Sequence, residues 1–174
     1  MIEQSRTSRD VSNEIGQFGL GLWYQGPNTP PLSWKSVEVG MPLGPFDWTL
    51  ESYEIAIICY CAEIKEAHYL ASKSNPVPIL PPTGAFWASI GLLYGHFSAT
   101  RGADIAHEIQ WYRTMRAGEP TRIFGRIADK YVKRGLHYIS WETHCVSMSK
   151  EPIFDVKQTV LDISEGGVHE NRSL

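Results

Sequence analysis

The sequence predicts an α+β fold, with helices first and a curled antiparallel sheet after them. Three observations lead to this prediction. The second half of the chain holds four successive segments in which apolar and polar residues alternate, as they do along strands with one buried face. The connections between these segments are short, and short connections favour antiparallel pairing. An earlier segment, residues 83–97, is apolar nearly all round, which predicts a central buried helix against which the sheet packs.

Length and composition predict one globular domain. The 174 residues are 43% hydrophobic and 20% charged, which is ordinary for a chain long enough to bury a core. Residues 1–16 and 164–174 are polar and lack periodicity, so we expect a flexible N-terminal arm and a flexible tail. The domain itself is predicted to span residues 17–163.

Charge and hydropathy argue against two classes of partner. The formal net charge of −3 leaves no basic footprint for nucleic acid. No apolar run reaches the ~18–20 residues needed to cross a bilayer. The first ten residues, MIEQSRTSRD, lack the apolar core of a signal peptide. We therefore expect a cytoplasmic protein that binds neither nucleic acid nor membrane.

The first predicted elements are a broken strand and a helix. Residues 34–50, WKSVEVGMPLGPFDWTL, predict a short strand that glycines and prolines divide into turns. Thr49 fits the N-cap of the helix that follows, with Glu51 favourably placed in the first turn.

The first helix is predicted within residues 51–73, before Asn75, Pro76 and Pro78 prevent its continuation. Four apolar or aromatic residues recur there at spacings of four and three: Tyr53, Ile57, Tyr60 and Ile64. This spacing predicts a helix packed through that face. The second, central helix begins near Thr83, which can cap it.

The four alternating segments define the inward faces of four strands. The residues predicted to share a face are Ile105, His107, Ile109 and Trp111; Ile123, Ile127 and Tyr131; Ile139, Trp141, Thr143 and Cys145; and Phe154, Val156 and Val160. Turns are predicted at residues 117–118, 134–135 and 150–152. Cys59, Cys61 and Cys145 lack the spacing of a zinc or redox pair, so we interpret all three as buried apolar side chains.

Three stretches in this order resemble the MaoC-like hydratases and dehydratases, which have the hot-dog fold. They are residues 37–63, VEVGMPLGPFDWTLESYEIAIICYCAE; residues 78–88, PILPPTGAFWA; and residues 107–135, HEIQWYRTMRAGEPTRIFGRIADKYVKRG. The resemblance is strongest to the N-terminal halves of double hot-dog proteins and to subunits of (3R)-hydroxyacyl dehydratases. It implies a single hot-dog domain, a curled antiparallel sheet wrapped round a central helix.

The resemblance also implies an activity and a site. Family members add water to, or remove it from, an acyl thioester, as an enoyl-CoA hydratase or (3R)-3-hydroxyacyl-CoA dehydratase does. Their D-x-N-P-x-H motif falls on Glu63 to His68, where the histidine is kept, Asp is replaced by Glu63, and Asn and Pro by Lys65 and Glu66. The resemblance implies no metal and no cofactor beyond the coenzyme A or acyl carrier of the substrate. It also implies a homodimer, or a heterodimer with a second hot-dog chain.

The chemistry needs groups that this segment can supply. A carboxylate and an imidazole facing one water can take a proton from it and deliver one to the α-carbon, so Glu63 and His68 are the candidate catalytic pair. Backbone N–H groups at a helix N-terminus can stabilise an enolate oxygen, which points to Thr83 and Gly84. Trp87, on the same helix, is a candidate wall of the acyl site.

Two alternatives to a catalytic pair stay open, and a third is weaker. On a continuous helix, Glu63 and His68 are five residues apart and do not share a face, so they converge only if the backbone leaves the helix between them. The altered motif therefore also fits a non-catalytic, acyl-binding subunit of a heteromeric dehydratase. A thioesterase-like protein would need an acidic residue in the central helix, and GAFWASIGLLYGHF has none.

Other polar residues have simpler interpretations. We interpret His96 and His107 as structural histidines, and His144, which lies near Glu142 on a strand, as a member of a cross-strand surface pair. Three basic residues fit a solvated turn, with coenzyme A phosphates as the alternative: Lys130, Lys133 and Arg134.

Overall fold

The computed structural model describes residues 30–98 and 102–162. The predicted arm at residues 1–16, the predicted tail at 164–174, and residues 17–29 and 163 of the predicted domain lie outside the described residues. Those boundaries stay predictions.

The described residues form one antiparallel sheet and a central helix. In chain order the elements are β1 (Pro42–Thr49), α1 (Ser52–Cys61), a 3-10 helix (Ala67–Tyr69), α2 (Gly84–Tyr94), β2 (Gly102–Trp111), β3 (Pro120–Lys133), β4 (Leu136–Ser147) and β5 (Pro152–Asp162). The strand order is β1-β3-β4-β5-β2, and all neighbours are antiparallel. The predicted α+β class is confirmed.

The core lies between α2 and the inner face of the sheet. The inward residues predicted for β4 are buried, and those predicted for β5 are buried as well. Three buried polar side chains form hydrogen bonds where α2 meets β4, as interior packing favours. Ser89 of α2 lies 2.9 Å from the Thr143 hydroxyl and accepts a hydrogen bond from the Trp141 indole N–H. α2 is thereby fixed on β4 by directional contacts as well as by apolar packing.

Gly125 lets β3 lie directly against β4. A Cβ at this position would lie 1.9 Å from the Glu142 carbonyl oxygen and 3.1 Å from a methyl group of Leu92 in α2. The absence of a side chain is therefore required where the strand pair meets the helix.

Two β-bulges change the faces that alternation predicts. In β3, the pairing shifts between Ile127 and Asp129, so Ile123 and Ile127 are buried but Tyr131 stacks on Tyr138 on the outer face. In β2, the shift falls between Asp104 and Ala106 and displaces Ile105, while the other predicted inward residues keep their face. An extra residue reverses the side of every residue beyond it.

Helix α1 differs from the prediction at its start and in its packed face. Its N-cap is Glu51, with Glu51 and Glu54 forming a capping box, whereas Thr49 ends β1. The residues it buries are Glu54, Ile55 and Cys59. The predicted stripe is wrong, because most of it faces outward: Tyr53, Ile57 and Tyr60 are all exposed. Both sides of this helix are apolar, so spacing alone could not choose between them.

The cysteines fit the prediction at two positions of three. Cys59 and Cys145 are buried, and burial raises the pKa of the Cys145 thiol to about 12, which keeps it protonated. Cys61, the last residue of α1, is exposed, so the prediction of a buried side chain is wrong at this position. Over the described ranges, no helix is long and apolar enough to span a membrane.

Candidate active site

The chain leaves the helical path immediately before the candidate catalytic residues. Helix α1 ends at Cys61, and Glu63 adopts a left-handed conformation with φ of 55°. The Ile64 N–H donates to the Cys59 carbonyl at 2.8 Å, which closes the helix end. A left-handed non-glycine residue is uncommon and marks a position held by its surroundings. Helix α1 thus ends before both residues, and the backbone from Glu63 to His68 is not a continuous helix.

His68 lies on the short 3-10 helix that follows the break. Its ring lies 3.9 Å from the ring of Tyr69, centroid to centroid. The side chains of Glu63 and His68 are both exposed. The structure thus places the two residues on one irregular segment, accessible from solvent.

Asn75 fixes this segment in place. Its side-chain amide donates to three backbone carbonyls, those of Ala67, His68 and Leu70, at 3.0–3.2 Å. The amide nitrogen has two N–H groups, so one of them is shared between two carbonyls, and the three contacts hold the backbone around His68 in a single turn. Sequence reasoning interpreted Asn75 only as a helix breaker beside Pro76. An Asn before Pro at the end of a polar segment is the signal that could have indicated a turn-forming side chain.

The segment is also tied to the start of α2 and to the β2–β3 connection. The Ile79 N–H donates to the His68 carbonyl at 3.2 Å, and the Leu80 N–H donates to the Met115 carbonyl at 2.8 Å. The β2–β3 connection is itself held by the ion pair of Arg113 and Glu119. The Arg113 guanidinium lowers the pKa of the Glu119 carboxyl. His68 is thereby linked through four residues of backbone to Thr83 at the entry of α2.

The N-terminus of α2 already uses one of its predicted hydrogen-bond donors within the chain. Thr83 occupies the N-cap position and is exposed, but its side chain makes no capping hydrogen bond. The Gly84 N–H, predicted as an oxyanion donor, donates to the Pro81 carbonyl at 2.8 Å. The space beside Gly84 is filled by Leu80, whose side chain would lie 2.2 Å from a Cβ at that position. The glycine therefore admits Leu80 in this conformation.

A half-buried aromatic face extends from this end of α2. Trp87 and Phe86 are both partly exposed, and their rings contact each other edge-on at 5.6 Å. Phe86 also contacts the ring of His107 on β2 at 5.2 Å. The predicted acyl-site residue Trp87 thus belongs to an apolar surface shared by α2 and β2.

The basic residues of the β3–β4 turn lie far from the candidate site. The segment containing His68 contacts the chain just before β3, whereas Lys133 and Arg134 lie at or beyond its far end. The 14 residues of β3 span about 45 Å along the strand at ~3.3 Å per residue. Lys130 is held separately by the carbonyl of Val37, 2.8 Å away, and by the ring of Trp34. A solvated turn is the interpretation that this geometry favours within one chain.

Two of the other described histidines, His96 and His144, have structural contacts. His96 accepts a hydrogen bond from the Gly44 N–H at 2.6 Å, so its Nε2 is unprotonated, and burial lowers its pKa. It therefore acts as a neutral acceptor rather than as a cation at the helix end. His144 pairs with Asp155 on the neighbouring strand at 2.7 Å, and the Tyr112 hydroxyl donates to the same carboxylate.

Two further features of the described part of the chain bear on the chemistry. No group of three His, Cys, Asp or Glu side chains is arranged there to hold a metal ion. An open depression of about 320 Å³ lies on the outer face of the sheet, away from Glu63 and His68. Its polar lining consists of Glu108, Gln110, Glu142, His144, Asp155 and Lys157.

Comparison with known proteins places this architecture. No family sequence model and no curated protein matches the chain. Solved structures do match. The R-hydratase PhaJ1 of Pseudomonas aeruginosa matches with a TM-score of 0.60 at 8% identity, covering 76% of this chain and 86% of that one. The HadBC (3R)-hydroxyacyl-ACP dehydratase complex of Mycobacterium tuberculosis matches with a TM-score of 0.59 at 10% identity, covering 71% and 96%.

The chain has the hot-dog fold of the MaoC-like dehydratases. The predicted fold is thereby confirmed. A third match is to the ChsH1–ChsH2 complex of Mycobacterium tuberculosis, with a TM-score of 0.57 at 7% identity, covering 72% of this chain and 98% of that one. The matching hot-dog structures include a hydratase and subunits of two-chain complexes, so they do not single out the branch that the sequence resembles.

Proposed function

We propose that this hot-dog chain is a MaoC-like hydro-lyase, an enoyl-CoA hydratase or (3R)-3-hydroxyacyl-CoA dehydratase acting on an acyl thioester. Glu63 and His68 are the proposed catalytic pair. The fold supports the class, since the matching structures include hydratases and dehydratases. The finer assignment depends on the segment that follows α1.

The break in the helix at Glu63 is the observation that carries the proposal. An uninterrupted helix would send residues five apart to different faces. Here α1 stops two residues before Glu63, and a left-handed turn with an Asn75 clamp positions His68. The left-handed turn and the Asn75 hydrogen bonds hold a solvent-exposed segment in one conformation, although its sequence is rich in good helix formers. Such order in an exposed connection is typical of a functional segment.

The proposed reaction joins water to the double bond of a trans-2-enoyl thioester. One of the pair takes a proton from water as its oxygen bonds to the β-carbon, and the other delivers a proton to the α-carbon. The same groups in reversed roles eliminate water in the dehydration direction. The electron pair passes through an enolate whose oxygen needs hydrogen-bond donors. The proposed donors lie at the N-terminus of α2, where the Gly84 N–H would have to leave the Pro81 carbonyl, with Trp87 beside the acyl chain.

The test is hydration of trans-2-enoyl-CoA thioesters with short, long and aromatic acyl groups. We expect the purified chain, or the chain with its partner, to consume the enoyl thioester. Glu63→Gln and His68→Ala should each reduce kcat by roughly 100-fold or more, the usual contribution of a general acid or base.

The matched control is Glu66→Gln, which neutralises another exposed carboxylate between the same two residues. It should retain activity. Equal activity in the wild type and both pair variants would eliminate Glu63 and His68 as catalysts. Unchanged thermal unfolding of all variants would show that a loss of rate is not a loss of fold.

The second candidate is a non-catalytic, acyl-binding subunit of a heteromeric hot-dog dehydratase. The contacts at the N-terminus of α2 favour this candidate, because the Gly84 N–H already donates to the Pro81 carbonyl and Leu80 fills the space beside Gly84. In that case the chain contributes the aromatic surface of α2, and a partner contributes the acid and base. Activity that needs a partner and survives both pair substitutions would distinguish this candidate from the first.

A further inference from the structure

Gln158 on β5 is a fully buried polar side chain with one unpaired atom. Its Nε2 donates to the Asp104 carboxylate at 2.7 Å. Its Oε1 is buried as well, and no donor among the described residues reaches it. A buried acceptor without a donor costs free energy comparable to a lost hydrogen bond, and native proteins keep few such atoms. Folding alone therefore does not account for this oxygen, which points to a ligand as its partner.

The Gln158 amide lies under α2, beside the aromatic surface proposed for the acyl chain. Gln158 is paired with Trp141 on β4 and with His107 on β2, and directly paired residues share one face of a sheet. On that face, the Trp141 indole donates to Ser89 of α2. The His107 ring contacts Phe86, about one turn earlier on the same helix. Gln158 is therefore bracketed by two contacts that join this part of α2 to the sheet.

Asp104 sets the direction of the Gln158 amide. An ionised carboxylate only accepts hydrogen bonds, so the amide turns its NH₂ group towards Asp104 and its oxygen away. Asp104 and His107 are both exposed residues of β2, the last strand of the described sheet. The amide therefore lies one hydrogen bond below the surface, and an exposed ring such as that of His107 changes rotamer within nanoseconds. A ligand group that displaces the His107 ring from Phe86 would reach the Gln158 oxygen.

The chemistry of this oxygen favours a neutral ligand group with one donor. A hydroxyl group donates a single hydrogen, and one amide oxygen satisfies it. An ammonium group carries three N–H donors and a charge, which need further partners when they are buried. The Asp104 carboxylate faces the amide nitrogen rather than the oxygen, so it does not supply the countercharge there. A purely apolar ligand would leave the oxygen unpaired.

We infer that Gln158 is a specificity-determining residue whose Oε1 accepts a hydrogen bond from a hydroxyl group on the distal part of the acyl chain. This inference rests on the proposed function, in either its catalytic or its acyl-binding form, and names the class of acyl group. Phe86 and Ser89 lie about 3 and 7.5 Å beyond Gly84 along the helix axis, at ~1.5 Å per residue. The hydroxyl therefore lies several bonds from a thioester carbonyl placed at the start of α2. Asp104 is the positioning residue, since it turns the oxygen towards the ligand.

The experiment measures the binding of saturated thioesters, which cannot be hydrated, to the full chain, alone or with its partner, by isothermal titration calorimetry. The probes are hexanoyl-, octanoyl- and decanoyl-CoA, each beside its ω-hydroxy form. At one or more of these lengths, we expect the wild type to bind the hydroxylated thioester ~10-fold more tightly, as one buried hydrogen bond allows. Gln158→Met keeps the length of the side chain but removes the acceptor, so it should bind both members of each pair equally.

The matched control is Gln110→Met, at an exposed glutamine on the outer face of β2, which should keep the preference. Should Gln158→Met fail to fold, Asp104→Ala decides instead, because it leaves the amide free to turn. It should reduce the preference ~3-fold or more.

Equal affinity for both members of every pair in the wild type would overturn the inference, as would a failure to bind any of these thioesters. A preference that survives in Gln158→Met, or stays unchanged in Asp104→Ala, would overturn it as well. Hydration of enoyl thioesters is scored separately. Hydration without a preference keeps the proposed function and eliminates this inference, whereas a preference without hydration keeps the inference with the non-catalytic candidate.

Discussion

The sheet with α2 and the connection from Ala62 to Thr83 are built in different ways. The sheet and α2 are held by buried side chains, with apolar packing and paired hydroxyls at their contact. The connection is held mainly by backbone hydrogen bonds and one asparagine, and its most polar residues face solvent. Fold stability therefore resides in the first region, and the proposed chemistry in the second. Substitutions should separate along the same line, with stability lost in one region and activity in the other.

The largest expected effect is in the sheet, at Gly125. Gly125→Ala would place a methyl group 1.9 Å from the Glu142 carbonyl oxygen, a backbone atom of the central strand pair. We expect the free energy of unfolding to fall by about 5 kcal/mol, measured by urea denaturation. The control is Gly118→Ala, where nothing lies within 4 Å and only a φ of 74° opposes the change. It should cost only ~1–2 kcal/mol, and similar losses at the two positions would argue against the steric explanation.

A smaller effect is expected on α1, which borders both regions. Ile55 is fully buried and Ile57 is 43% exposed, although both are isoleucines on one helix two residues apart. Ile55→Ala should destabilise the chain by about 3 kcal/mol, and Ile57→Ala by less than ~0.5 kcal/mol. Thermal denaturation of the pair measures the difference. Equal losses would mean that the outward face of α1 is covered in solution.

The smallest expected effect on stability is in the connection. Asn75→Asp keeps the shape of the side chain but removes the donor that serves three carbonyls. We expect amide hydrogens of residues 67–80 to exchange ~5-fold faster, while those of β4 keep their rates. Ser74→Ala, at the neighbouring exposed residue, is the control. Uniformly faster exchange across the sheet would show that the connection and the sheet open together, and the contrast between them would fail.

Much of the sheet could be predicted because its periodicity is strong. Ile139, Trp141 and Cys145 alternate with polar residues, and all three are buried. The bulges could not be predicted, because an extra residue leaves no mark in the sequence. The predicted inward face of Tyr131 was therefore wrong. The packed face of α1 was wrong for a different reason. When apolar residues surround a helix, only its neighbours decide which side is buried.

The candidate site was predicted through resemblance rather than pattern. Glu63 and His68 came from a motif that this sequence keeps only in part, and their catalytic role stays a prediction. The contacts that position them were not foreseen, since the Asn75 clamp joins residues five to eight apart in a segment that favours helix by composition. Leu80 beside Gly84 was also missed, because spacing does not show which neighbour will occupy the space beside a glycine.

The length of β3 has a practical consequence for experiments on this protein. The turn at Arg134 and Gly135 is separated from the proposed site by the whole strand, and nothing lies within 4 Å of a Cβ built on Gly135. A fluorophore or an affinity tag inserted there would sit at an exposed tip in the middle of the strand order. Surface immobilisation through this turn would leave the proposed site accessible to substrate on the tethered molecule.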